Sequence, residues 1–118
     1  MRKELQGPEE FERAAREEVR ISSDFGLPLC ALSLRLPEGE GAGLLRPLLE
    51  EIRVADLATS VAPDELDVVL PNTGPEDARR VEERLRAVAP GAATGLAAYE
   101  PGESPETLIG RARESRQR

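Results

Sequence analysis

The sequence contains no histidine and no tryptophan, one cysteine and one tyrosine. Without histidine there is no imidazole base for a triad and no His-ligated metal centre. A single cysteine excludes an internal disulfide. Cys30 stands inside the apolar run Leu29-Cys30-Ala31-Leu32, where a buried, inert thiol is expected. With two Phe and one Tyr, the core must be built from Leu, Val, Ile and Ala. No apolar run approaches the length of a membrane-spanning helix, and nothing reads as a signal peptide. The expected compartment is therefore the cytoplasm, with no membrane partner. Positive charge is also short: 16 Lys and Arg face 23 Asp and Glu, a net charge of −7 over 118 residues. That balance argues against nucleic-acid binding through a broad basic surface. An anionic ligand would need a local cluster of cations. Lys3 is the only lysine, and every other cation is arginine, whose fork matches carboxylate and phosphate. A GC-rich or thermophilic source accounts for the same bias.

What is present is punctuated well enough to divide into elements. The length fits one domain, taken here as residues 1–118. Pro8 to about Ser23 has helical spacing at Phe11, Ala14, Ala15, Glu18 and Val19, with proline in its first turn. Leu29 to Leu36 is nearly continuous in apolar residues, as expected of a strand covered on both faces. Residues 37–43 read as a loop. A second helix follows from about Gly43 to Arg53, with Pro47 tolerated near its start. Leu57–Val61 and Leu66–Leu70 read as strands around a tight turn at Ala62-Pro63-Asp64-Glu65. The segment Pro75 to Ala89 is the best-marked helix: Thr73 or Gly74 can cap it, and Glu76 and Asp77 suit its N-terminus. Ala92–Tyr99 is a last strand, and Ser104 caps a short closing helix. The order α–βαββαβ–α contains a ferredoxin-like core. The fold class is α/β in the broad sense (α+β): an antiparallel sheet with flanking helices, the inner pair on one face.

The run from Arg53 to Thr73 resembles, without a gap, the stretch R-x-x-D-x-x-x-R-x-G-G-D/E-E-F-x-x-x-x-P-x-T of the GGDEF (diguanylate cyclase) family. The likeness continues through Ala78, Val81 and Glu83-Arg84-Leu85-Arg86, then through Ala93 to Ala97, Tyr99 and Leu108 to Ala112. Upstream, Phe11 to Leu36 is similar to the family's first helix and strand. The resemblance implies that fold and a link to cyclic di-GMP.

The departures bear on chemistry. Where the family places two metal-binding Asp residues at the end of the first strand, this sequence has Arg35 and Pro37. A cation there repels Mg²⁺ and removes a ligand. The short 37–43 loop has no counterpart of the family's substrate-holding Phe-Lys and Asn-Asp region. In the signature turn the glycines are replaced by Ala62 and Pro63, while Asp64 and Glu65 keep the acids and Leu66 stands for Phe. Proline removes an N–H and adds bulk where the family's backbone approaches the nucleotide. The expectations are no catalytic residues, no metal or cofactor, no enzyme activity, and a solvated hairpin tip at Asp64 and Glu65.

A second set of family residues is retained. Arg53 and Asp56 match the RxxD motif through which cyclases of the family are inhibited by cyclic di-GMP, and Arg84 falls where a further Arg completes that site. Arginine can fork onto phosphate or onto guanine O6 and N7, and a carboxylate such as Asp56 can accept from guanine N1 and N2. The resemblance thus implies a cyclic di-GMP-binding effector using Arg53, Asp56 and Arg84. The blander reading makes Arg53 and Asp56 a helix-end ion pair and leaves Arg84 paired with Glu82 or Glu83. The alternative function is a nucleotide-independent interaction module, with a protein partner or a second copy of the chain. Residual GTP binding as a regulatory ligand is a weaker third.

Overall fold

The computed structural model describes residues 3–117. Eight elements follow in the order α1 (Pro8–Phe25), β1 (Leu29–Arg35), α2 (Gly41–Leu49), β2 (Leu57–Ala62), β3 (Glu65–Pro71), α3 (Pro75–Val88), β4 (Ala93–Ala98) and α4 (Pro105–Glu114). The four strands form one antiparallel sheet in the order β2-β3-β1-β4. This is the α+β architecture read from the sequence.

Strand alternation assigns the two faces. Cys30, Leu32 and Leu34 of β1 and Leu66, Val68 and Leu70 of β3 point to one side. There they pack with Leu48 and Leu49 of α2 and Ala78, Val81 and Leu85 of α3. Leu29, Ala31 and Val69 point to the other, against Phe11 and Ala15 of α1 and Leu108, Ile109 and Ala112 of α4. The inner helices share one face, and the outer two cover its reverse. β1 is therefore buried on both sides, which explains its nearly continuous apolar run. Cys30 is fully buried, and burial pushes its thiol up to about 11.

The approach of α4 depends on Gly95, where a Cβ would stand 2.0 Å from the Ala112 carbonyl oxygen. One helix differs from the sequence reading, and the cap of another is decided between the two residues offered. α2 begins at Gly41 and ends at Leu49, which places Pro47 in its second turn. The α3 cap is Gly74, without a side-chain bond, because the Thr73 hydroxyl faces Arg53 instead. Ser104 does cap α4, accepting from the Thr107 N–H at 3.1 Å.

Candidate functional site

Arg53 and Asp56 lie in the short connection between α2 and β2. Asp56 is fully buried, and its carboxylate accepts from the Arg53 backbone N–H at 2.7 Å, from Nε at 3.1 Å and from Nη2 at 2.8 Å. The same Nη2 donates to the Pro71 carbonyl at 2.9 Å and to Thr73 Oγ1 at 2.7 Å. Thr73 in turn donates to that carbonyl at 2.8 Å. These four side-chain bonds fix a guanidinium that remains half exposed. The three-residue spacing forms this closed turn because Asp56 folds back onto the Arg53 amide. In this arrangement the Asp56 carboxylate, expected to accept from a guanine edge, is turned onto Arg53. Its carboxylate orients Arg53 from below.

Arg84 comes from the exposed side of α3, one of its N–H groups donating to the Glu51 carbonyl at 3.1 Å. Arg53 and Arg84 line one shallow pocket of about 220 Å³, with Asn72, Thr73, Asp77, Arg80 and Val81. Glu51, at 3.9 Å, is the carboxylate near Arg84, in place of the anticipated Glu82 or Glu83. The sequence reading missed Arg80, although its place one helical turn before Arg84 was available as a signal.

The signature turn lies elsewhere. Ala62 pairs with Glu65 across Pro63 and Asp64, and the β2–β3 register shifts between Thr59 and Ala62. Proline cannot adopt the positive φ favoured in two-residue hairpins, and the shift absorbs the mismatch. Asp64 accepts from the Gly39 N–H at 2.9 Å and the Gly41 N–H at 2.8 Å. Those two donors hold its carboxyl below the usual range. Glu65 binds Arg116 at 2.7 Å, and Leu66 is fully buried in the core. The solvated tip expected from the sequence is instead tied to the 37–41 loop and to the chain's C-terminal segment. Residues 35–38 and 62–65 line a cleft of about 370 Å³. It shares no lining residue with the Arg53–Arg84 pocket. Among the described residues no cluster of Cys, Asp and Glu is placed to hold a metal ion. No described helix is long and apolar enough to cross a membrane.

The fold defines a class before it defines a relative: a four-stranded antiparallel α+β domain with a signature hairpin between its edge and second strands. Its fold is that of GGDEF domains. It is similar to the GGDEF domain of DgcB from Caulobacter crescentus, a structure in complex with c-di-GMP. The TM-score is 0.80 and the identity 15%, over 93% of this chain and 80% of that one. It is similar also to the diguanylate cyclase SiaD of Pseudomonas aeruginosa, in complex with its activator SiaC. There the TM-score is 0.82 and the identity 21%, over 94% of this chain and 53% of that one, so it spans about half of SiaD. A third likeness is to a DGC protein of Thermotoga maritima, with TM-score 0.78, 16% identity and 98% of both chains covered. No family model matches the sequence, and neither does any curated protein.

These likenesses correct one expectation. The departures at Arg35, Pro37, Ala62 and Pro63 led to the reading that the chain is not an enzyme. The fold is shared with the diguanylate cyclase SiaD and with a DGC protein, so the expectation of no enzyme activity is withdrawn. A motif reading of substituted side chains does not establish absence of activity, since it takes no account of what the backbone and other groups place at the cleft.

Proposed function

We propose that this domain binds cyclic di-GMP at the pocket where Arg53 and Arg84 meet, and so acts as a regulatory domain in cyclic di-GMP signalling. The observation that carries this reading is the convergence of both arginines on one exposed pocket, with Arg53 already fixed by Asp56, Thr73 and Pro71. A preset guanidinium loses little side-chain freedom when an anion arrives. The ligand offers phosphate oxygens and the O6 and N7 acceptors of guanine, all suited to arginine donors. The DgcB complex with c-di-GMP supports this class of ligand for the fold. Because the pocket shares no residue with the cleft at the signature turn, the reading does not depend on chemistry there.

Calorimetric titration of the full chain with cyclic di-GMP tests it. Micromolar binding that is lost in both Arg53→Ala and Arg84→Ala is the expected result. Absence of heat with the wild-type protein at high concentration overturns the reading.

A further inference from the structure

The pocket contains a third arginine that the RxxD motif does not include. Arg80 lies on α3 one helical turn before Arg84, and both line the pocket with Arg53. Its Nη1 is 2.7 Å from Asp77 Oδ1, and its Nη2 is 3.8 Å from Glu76 Oε1. All three side chains are well exposed, at 64% for Arg80, 68% for Asp77 and 86% for Glu76. Ion pairs so open to solvent hold weakly and exchange readily.

Asp77 also lines the pocket, and its position decides how the local charges balance. Asp56 neutralises Arg53 from beneath, Asp77 neutralises Arg80 at the rim, and Glu51 stands 3.9 Å from Arg84. Each cation has a carboxylate of its own. Those of Arg53 and Arg80 differ in kind: Asp56 is buried and fixed, whereas Asp77 is exposed and replaceable. An incoming phosphate therefore gains most by taking Arg80 away from Asp77.

Resting on the cyclic di-GMP reading of this pocket, we infer that Arg80 is a third ligand-binding cation, and that Asp77 competes with the ligand for it. In the free protein Arg80 pairs with Asp77. On binding, its guanidinium turns to a phosphate oxygen or a guanine acceptor of the ligand, and Asp77 is released to water. A ligand with two phosphates and two guanines offers more acceptors than the remaining donors of Arg53 and Arg84 can meet. Arg80 answers that surplus, and Asp77 sets the affinity by holding it back.

The experiment is calorimetric titration with cyclic di-GMP of wild-type, Arg80→Ala, Asp77→Asn and Arg84→Ala chains, each at low and moderate salt. Arg80→Ala should weaken binding by about tenfold, the loss of one charge-assisted contact, and should flatten the salt dependence. Asp77→Asn should tighten binding, because it frees Arg80 without removing a donor. A wild type that binds, an Arg84→Ala chain that does not, and both other variants indistinguishable from wild type would overturn the inference and leave the proposed site standing. A wild type that does not bind removes both. Thermal melts of the four chains separate lost contacts from lost folding.

Discussion

The carboxylate of Asp67, fully buried in the middle of β3, is held by the guanidinium of Arg113 reaching down from α4, 46 residues along the chain. Ser33 of the neighbouring β1 donates to the other carboxylate oxygen at 2.7 Å. One acid in the sheet thus ties the closing helix to two central strands. The pairing fixes where α4 sits above Gly95, whose missing Cβ admits the helix backbone.

Removing one member of this group should therefore cost more than removing both. Arg113→Met leaves a buried carboxylate with only a serine partner, and stability should fall by about 2–3 kcal/mol, discounted for the partial exposure of Arg113. Adding Asp67→Leu removes the stranded charge and should recover most of that loss. Urea unfolding of the two variants checks the ordering. A double variant less stable than Arg113→Met would contradict it.

The two glycines near the start of α2 should respond in opposite directions. At Gly41 a Cβ would lie 1.9 Å from the Pro63 carbonyl oxygen, whereas at Gly43 nothing lies within 4 Å. Gly41→Ala must push the signature hairpin away from the helix, at a cost of roughly 1–3 kcal/mol. Gly43→Ala sits in open helix and should gain up to about 1 kcal/mol. Matched denaturation curves distinguish a packed contact from a general intolerance of the segment.

How much of this was legible in the sequence depends on where the signal lay. α3 was read to within a residue because proline, two acids and a clean apolar stripe mark it locally. The Arg53–Asp56 pair was legible as a spacing, but its meaning was not. Whether Asp56 faces water or lies beneath Arg53 depends on Pro71 and Thr73, which arrive from the far end of β3. Asp67 was passed over as part of a strand, although a lone acid within Leu66-Asp67-Val68-Val69-Leu70 was a visible oddity. Its partner lay on an element whose face the sequence left unassigned. The fate of Asp64 was hidden for a similar reason, since its partners are backbone N–H groups that no side-chain pattern reveals.

Asp64 gives the hairpin a dependence on pH. The N–H groups of Gly39 and Gly41 lower its pKa in the folded state, so folding favours the ionised form. The resulting stability is present above the unfolded-state value of about 3.9 and is lost as pH falls through the lower folded value. Asp64→Asn should reduce stability at pH 6 and remove this part of the acid sensitivity. The wild-type and variant curves should then begin to approach each other below about pH 4 and meet once pH is below the folded value. Parallel curves throughout would show that the two contacts contribute no linkage.

Arg53 and Arg84 share a pocket but not a structural role, and their substitutions should separate accordingly. Arg53 compensates the fully buried carboxylate of Asp56 through its side chain. Arg84 donates to one backbone carbonyl, near a partly exposed Glu51. Arg53→Ala should lower stability by about 2 kcal/mol, because Asp56 is left with a single backbone N–H donor. Arg84→Ala should change it by no more than about 0.5 kcal/mol. The difference matters for reading any binding experiment. A ligand lost in Arg53→Ala alone is explained equally by a disturbed loop, whereas loss in a fully stable Arg84→Ala chain locates the contact at the pocket. Asp56→Asn refines the point, keeping the shape while removing the charge. If Asp56 only orients Arg53, that variant should weaken binding less than Arg53→Ala does. A complete loss of binding in a folded Asp56→Asn chain would instead give Asp56 a direct part in holding the ligand.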